Sequence, residues 1–159
     1  MAEGKGNFSG DILILLWGTD NKFDLATDAT IGFSPSENGS FVHTGFNKCF
    51  QSILPEIKKC LSEHKQPIDT VHCIGHSLGG ALATLTAEWL KNSKYAKTSD
   101  IKLYTFGSPR VGASSFVKSL TREMLKGTDI CRVYHKTDVV PMVPIWPFFT
   151  CQEKVMLTV

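Results

Sequence analysis

Thr70-Val71-His72-Cys73-Ile74-Gly75-His76-Ser77-Leu78-Gly79-Gly80-Ala81-Leu82-Ala83-Thr84-Leu85 is the stretch from which the rest of the chain is read. An apolar run meets a G-x-S-x-G turn at Gly75 to Gly79, and an Ala/Leu-rich helical segment continues to Leu90. A serine on a sharp turn between a buried strand and a helix holds a strained backbone, and the positions flanking it have little room for side chains. Gly75 and Gly79 meet that demand. The helix opening behind Ser77 aims unpaired N–H groups, and the positive end of its dipole, at any anion formed there. Residues of these types in this order describe a nucleophile for acyl transfer.

Outward from the turn, strand and helix patterns alternate. Asp11-Ile12-Leu13-Ile14-Leu15-Leu16-Trp17 is a continuous apolar run closed by Gly18, the pattern of a strand covered on both faces. Thr19 to Ser40 is polar, lacks a sustained period and reads as a long loop. From Phe46 to His64, apolar residues Phe46, Phe50, Ile53, Leu54, Ile57 and Leu61 recur at helical spacing, with Pro55 marking an entry or a kink. Ile101 to Phe106 is the next strand, Ser114 to Lys126 a helix and Ile130 to His135 a further strand. This alternation requires crossover connections, hence an α/β fold with a mostly parallel sheet and flanking helices. Active groups of such sheets lie beyond the carboxyl ends of the strands, where Ser77, the 107 to 112 loop and Asp138 fall. Val139 to Phe149 is apolar but cut by three prolines, so it forms neither a long helix nor a central strand. It either lines an acyl-chain groove or packs on the core.

With 159 residues, 42% of them hydrophobic, residues 1 to 159 form one domain. The formal charge is +2 and the basic residues are scattered, which argues against nucleic acid as a partner. Five cysteines, none in a C-x-x-C pair, exclude zinc-site spacing and a dense disulfide framework. Most read as buried thiols of a reducing compartment, with one disulfide left open. The segment Ile12 to Trp17 is too short for a signal h-region or a membrane span. The expectation is a cytoplasmic protein, or one exported without a cleaved signal.

A serine nucleophile needs an imidazole to take its proton and a carboxylate to orient that imidazole. Asp138, in Lys136-Thr137-Asp138-Val139-Val140-Pro141 just past a strand, is the acid candidate. The oxyanion hole requires two backbone N–H groups, one from Leu78 behind the nucleophile and one from Thr19 after the first strand. Among the five histidines, His64, His72 and His76 read as locally satisfied; His135 is carried as the base candidate ahead of His43. No cofactor is assigned to this chemistry.

Five ordered blocks carry a resemblance. Trp17-Gly18-Thr19, Val42-His43-Thr44-Gly45-Phe46, Gly75 to Gly80, Thr105 to Gly112 and Arg132 to Pro141 resemble successive segments of the class 3, fungal-type lipases, from about residue 11 to 144. The resemblance implies an α/β-hydrolase fold and metal-free hydrolysis of lipid carboxylic esters by a lipase, phospholipase or esterase. It assigns Ser77 as nucleophile, Asp138 as acid, and Thr19 and Leu78 as oxyanion donors. Lipid or ester substrate is the implied partner, with membrane-surface contact and self-association as further expectations. Two departures stand out. The family places an arginine where this chain has Trp17, and its catalytic histidine follows the acid, whereas no histidine follows Asp138. The expectation is therefore a domain cut short of its closing elements. The alternative is a lipase-like domain impaired in catalysis that binds lipid or protein.

Overall fold

In chain order the strands are β1 (Ala2–Glu3), β2 (Asp11–Leu16), β3 (Phe33–Pro35), β4 (Phe41–His43), β5 (Thr70–His76), β6 (Asp100–Phe106), β7 (Ile130–His135) and β8 (Met156–Leu157). The helices are α1 (Thr44–Glu63), α2 (Leu78–Asn92) and α3 (Ser114–Lys118), the last running on into a π-helical segment at Ser119–Met124. The computed structural model describes residues 1–18, 32–95, 100–125, 129–144, 147–149 and 156–157. Six strands form one sheet in the order β1-β2-β5-β6-β7-β8. Among the described residues of this sheet only β1 pairs antiparallel; the other neighbours run parallel, with Leu16 opposite Gly75 and His76 opposite Phe106. β3 and β4 form a separate antiparallel pair.

Period-two burial builds the core. Ile12, Ile14, Val71, Cys73, Ile101 and Leu103 are buried on the sheet face that meets α2. From Gly79 to Leu90 every residue of α2 is buried, because α1 packs along its other side. A helix apolar all round is stable only in such a sandwich. The α1 stripe of Phe46, Phe50, Leu54, Ile57 and Leu61 is buried as its spacing requires. Pro55 lies exposed inside α1 and neither opens nor ends it.

Three expectations are corrected. Among the described residues β2 is not covered on both faces: Leu15 is exposed and Leu13 half-buried, and on the same face of β6 Phe106 is exposed and Tyr104 half-buried. An unbroken apolar run marks the strand but does not say how many layers cover it. The loop reading of Thr19 to Ser40 hides β3, while 19–31 lie outside the described residues. Lastly, most of the thiols are not buried. Cys73 is buried, but Cys49 is exposed and Cys60 and Cys131 are partly so; none of these four is in a disulfide. Cys49 and Cys60 fall on the outer side of α1, and Cys131 points away from α2.

A buried carboxyl fastens the β3–β4 turn to α2. Glu88 is fully buried, and its Oε1 accepts the Asn38 N–H at 2.9 Å. Asn38 Oδ1 accepts the Ser36 hydroxyl and the Ser40 N–H, each at 2.9 Å. Burial raises the pKa of Glu88, against the opposing effect of hydrogen bonds from Asn38 and Ser36. The folded chain thus holds this proton more tightly than the unfolded chain. The associated stability is full below the ordinary glutamate range and is lost as pH rises through the raised value. Glu88→Gln keeps an acceptor oxygen without the charge, so its urea midpoint should fall less between pH 5 and pH 8 than that of the wild type. Parallel pH profiles would refute this role.

Candidate active site

The turn after β5 has the geometry its glycines foretell. Ser77 has φ 53° and ψ −124°, and among the described residues no other non-glycine has a positive φ. Such a conformation persists only where surroundings enforce it. Here the Ser77 N–H donates to the Phe106 carbonyl at 2.9 Å, and the Gly80 N–H to the Ser77 carbonyl at 2.9 Å. A side chain on Gly75 would strike the Gly79 carbonyl, and one on Gly79 the Leu16 carbonyl. Strand, turn and helix can therefore be stacked only with hydrogen at both positions. Ser77 is 4% exposed, and its Oγ has no hydrogen-bond partner among the described residues.

Leu78 opens α2, so its N–H has no intrahelical acceptor. Gly18 reaches the same turn from β2: a Cβ there would stand 3.3 Å from Leu78 N and 3.1 Å from Ser77 Cβ. Thr19, the second expected oxyanion donor, lies outside the described residues.

Asp138 is half-buried after β7. Its N–H donates to the His135 carbonyl at 3.0 Å, and its Oδ1 accepts the Val140 N–H at 3.1 Å, capping the 3-10 turn Val140–Met142. The other oxygen, Oδ2, faces Gly107, where a Cβ would stand 3.1 Å from it. Gly107 has φ +55° and donates its N–H to the Val133 carbonyl. The end of β6 thus joins the two turns, with Phe106 bonded to Ser77 and Gly107 beside Asp138. Gly107 opens the 107 to 112 loop that the sequence places beyond the strand ends, and a glycine directly after a strand and before Ser108-Pro109 is the signal for its turn.

All five histidines are described, and none hydrogen-bonds through its ring to the side chain of Ser77 or Asp138. His135 is exposed; its Nδ1 lies 2.8 Å from Thr137 Oγ1 and accepts the Thr137 N–H at 3.3 Å. The ring of His43 is buried against Phe46 and Phe148, at 4.5 and 5.1 Å between centroids, and burial lowers its pKa. His64 pairs with Glu3 at 2.9 Å and His72 with Asp11 at 3.1 Å, towards the amino ends of the strands. His76 is exposed, its Nε2 on the same side of Gly107 as Asp138 Oδ2. The proline-cut tail divides: Phe148 is buried and stacks on Phe33 at 4.7 Å, while Val139 and Met142 are exposed.

A mostly parallel sheet with flanking helices is the fold of an α/β hydrolase, and Ser77, between a central strand and its helix, shares one sheet edge with the Asp138 carboxylate. The chain belongs to the class 3 lipase family, whose model, described as Lipase (class 3), matches residues 13–148. It is 34% identical over 137 residues to the secreted mono- and diacylglycerol lipase 1 of Fusarium solani, covering 85% of this chain and 37% of that protein. Similarity to phospholipase A1-II 1 of Oryza sativa subsp. indica is 28% over 153 residues, covering 87% of this chain and 38% of that one. The structure of a mono- and diacylglycerol lipase from Aspergillus oryzae superposes with a TM-score of 0.74 at 26% identity, covering 89% of this chain and 52% of its own. The chain therefore spans well under half the length of the curated relatives it matches.

These comparisons correct the expected location. The Fusarium relative is named as secreted, so the cytoplasmic expectation does not stand. Lack of a leader-like run among residues 1–159 carries no weight against that.

Proposed function

We propose that this chain hydrolyses carboxylic esters of glycerolipids through an acyl-enzyme on Ser77. The observation that carries the reading is the left-handed Ser77 at the head of α2, its hydroxyl without a hydrogen-bond partner among the described residues. The names of its relatives, mono- and diacylglycerol lipase and phospholipase A1, support the substrate class. Ser77 Oγ attacks the ester carbonyl carbon and passes its proton to an imidazole, while the oxyanion takes the N–H of Leu78 and that of Thr19. The C–O bond then breaks, the alcohol leaves with the imidazole's proton, and water attacking the acyl-serine regenerates Ser77. Asp138, held by Val140 through Oδ1, keeps Oδ2 for the imidazole N–H.

His135 is the base candidate nearest in sequence to the acid, yet its Nδ1 is engaged within its own turn. Imidazole supplied from solution should therefore accelerate capture of an organophosphonate at Ser77, with His135→Ala behaving as wild type. Capture indifferent to imidazole and abolished in His135→Ala would assign the base to His135. Folded wild-type protein that takes no label under either condition would defeat the serine mechanism and leave lipid binding without hydrolysis.

A further inference from the structure

The segment from Phe106 to Gly112 meets both proposed catalytic residues at its first end. The Phe106 carbonyl accepts the Ser77 N–H, and Gly107 lies beside Asp138 Oδ2. Its other end is gripped twice. The His43 N–H donates to the Val111 carbonyl at 2.9 Å, and Val42 is bridged to Gly112. A second grip comes from Phe149, whose carbonyl accepts the Val111 N–H at 2.9 Å and whose N–H donates to the Gly112 carbonyl at 2.7 Å. The His43 ring links the two grips, because it packs at 4.5 Å on Phe46 of α1 and at 5.1 Å on Phe148, the residue before Phe149. One residue thus holds Val111 directly through its main chain and indirectly through its ring.

This place admits the imidazole only uncharged. His43 is 7% exposed, and its Nδ1 has no hydrogen-bond partner among the described residues. A neutral ring with its proton on Nε2 leaves only a lone pair at Nδ1, whereas the imidazolium would add a buried N–H without an acceptor. His43 also stands immediately before α1, at the positive end of that helix's dipole, where a cation is disfavoured. Burial is the cause of its lowered pKa, with no part taken by Lys48 of α1 or Arg110 of the loop. β3, which pairs with His43 through Phe33, carries no ionisable residue.

We infer that His43 is a positioning residue for the ester hydrolysis proposed at Ser77, on which this role rests: as a neutral imidazole it fixes the 106–112 segment, and through that segment the placement of Ser77 and Asp138. Once the segment opens, the imidazole protonates in the ordinary histidine range near 6.5, which the closed form resists. The grip is therefore full above that range and weakens as pH falls below it. Glu88 acts on the β3–β4 turn with the opposite sign, since its contribution is lost as pH rises. Loosening on acidification cannot come from Glu88.

Hydrogen exchange of the wild-type chain reads the grip without turnover. After correction for the intrinsic pH dependence of exchange, the amides of Val111, Ala113 and Phe149 should open about tenfold more at pH 5 than at pH 8, while those of buried α2 change less. His43→Phe keeps an aromatic ring against Phe46 and Phe148 and cannot take a proton. Its segment should stay closed at pH 5, and the ratio of its Ser77 labelling rate at pH 5 to that at pH 8 should exceed the wild-type ratio by about tenfold. His43→Leu, closer to histidine in volume, makes the same comparison without a larger ring. Equal opening of the wild-type segment at both pH values overturns the inference. So does acid opening that persists in both variants, which assigns the loosening to another group, such as the Asp138 carboxyl. Closed segments with a wild-type labelling ratio leave the serine mechanism and remove His43 from it. Absence of label in every protein at both pH values defeats the hydrolysis, and the positioning role with it.

Discussion

Ser77→Ala is expected to abolish covalent capture of an organophosphonate and to remove whatever ester hydrolysis runs through the acyl-enzyme, a contribution of about a millionfold in an intact triad. Among the described residues, neither Cys73 nor Ser108 can stand in. Burial raises the pKa of the Cys73 thiol and keeps it within the core, and the buried Ser108 hydroxyl donates to the Pro109 carbonyl at 3.2 Å. The substitution should leave the fold intact for a specific reason: Ser77 Oγ has no partner among the described residues, so its removal leaves no buried group unsatisfied there. Alanine bears the φ of 53° about as badly as serine does. Glycine bears it freely, so Ser77→Gly should gain roughly 1 kcal/mol in stability while losing the adduct as completely. Intact-mass spectrometry after labelling, paired with urea midpoints for the three proteins, checks both halves. Retained wild-type labelling in Ser77→Ala would move the nucleophile elsewhere; a large loss of stability would mean the hydroxyl holds the turn together.

What the sequence disclosed and what it withheld follow from how far apart the causes lie along the chain. The β5–Ser77–α2 unit was legible because strand run, glycines and helix are contiguous, and Gly75 acts on Gly79 within the same turn. Asp138 was legible through its position just past a strand end. The β3–β4 pair was not, since Ser34, Pro35, Ser36 and Asn38 have a loop's composition. Their strand is fixed from afar, by Asn38 on Glu88 and by Phe33 on Phe148. The open sheet face was hidden for a related reason, because apolar content along β2 says nothing of what lies over Leu15. His135 was chosen by closeness in sequence to Asp138, and its bonds to Thr137 are of that same local kind.

Gly79→Ala separates local propensity from tertiary packing by the sign of its effect. In a helix interior alanine is favoured over glycine by about 1 kcal/mol, so propensity alone predicts a more stable protein. Packing predicts the opposite. A Cβ on Gly79 would fall on the Leu16 carbonyl and stand 2.9 Å from the Trp17 carbonyl carbon. These are backbone atoms of a strand end pinned to β5 through Leu16 and Gly75, so no rotamer change relieves the contact; β2 and α2 must part. Overpacking typically costs about 1–3 kcal/mol and more where backbone must move, so a net loss of about 3 kcal/mol is expected, a large share of the roughly 5–15 kcal/mol that holds a domain. Gly39→Ala is the matched control: Gly39 has φ +79° with nothing within 4 Å of its Cβ position, so only conformational strain of about 1 kcal/mol should appear. Denaturant midpoints of the two variants decide between the accounts, and a stabilised Gly79→Ala would sink the packing argument. The contact that excludes the methyl group also brings Gly18 against Leu78. Parting β2 from α2 therefore moves Gly18 away from Leu78, a proposed oxyanion donor, and ester hydrolysis by the folded fraction of Gly79→Ala should fall as well.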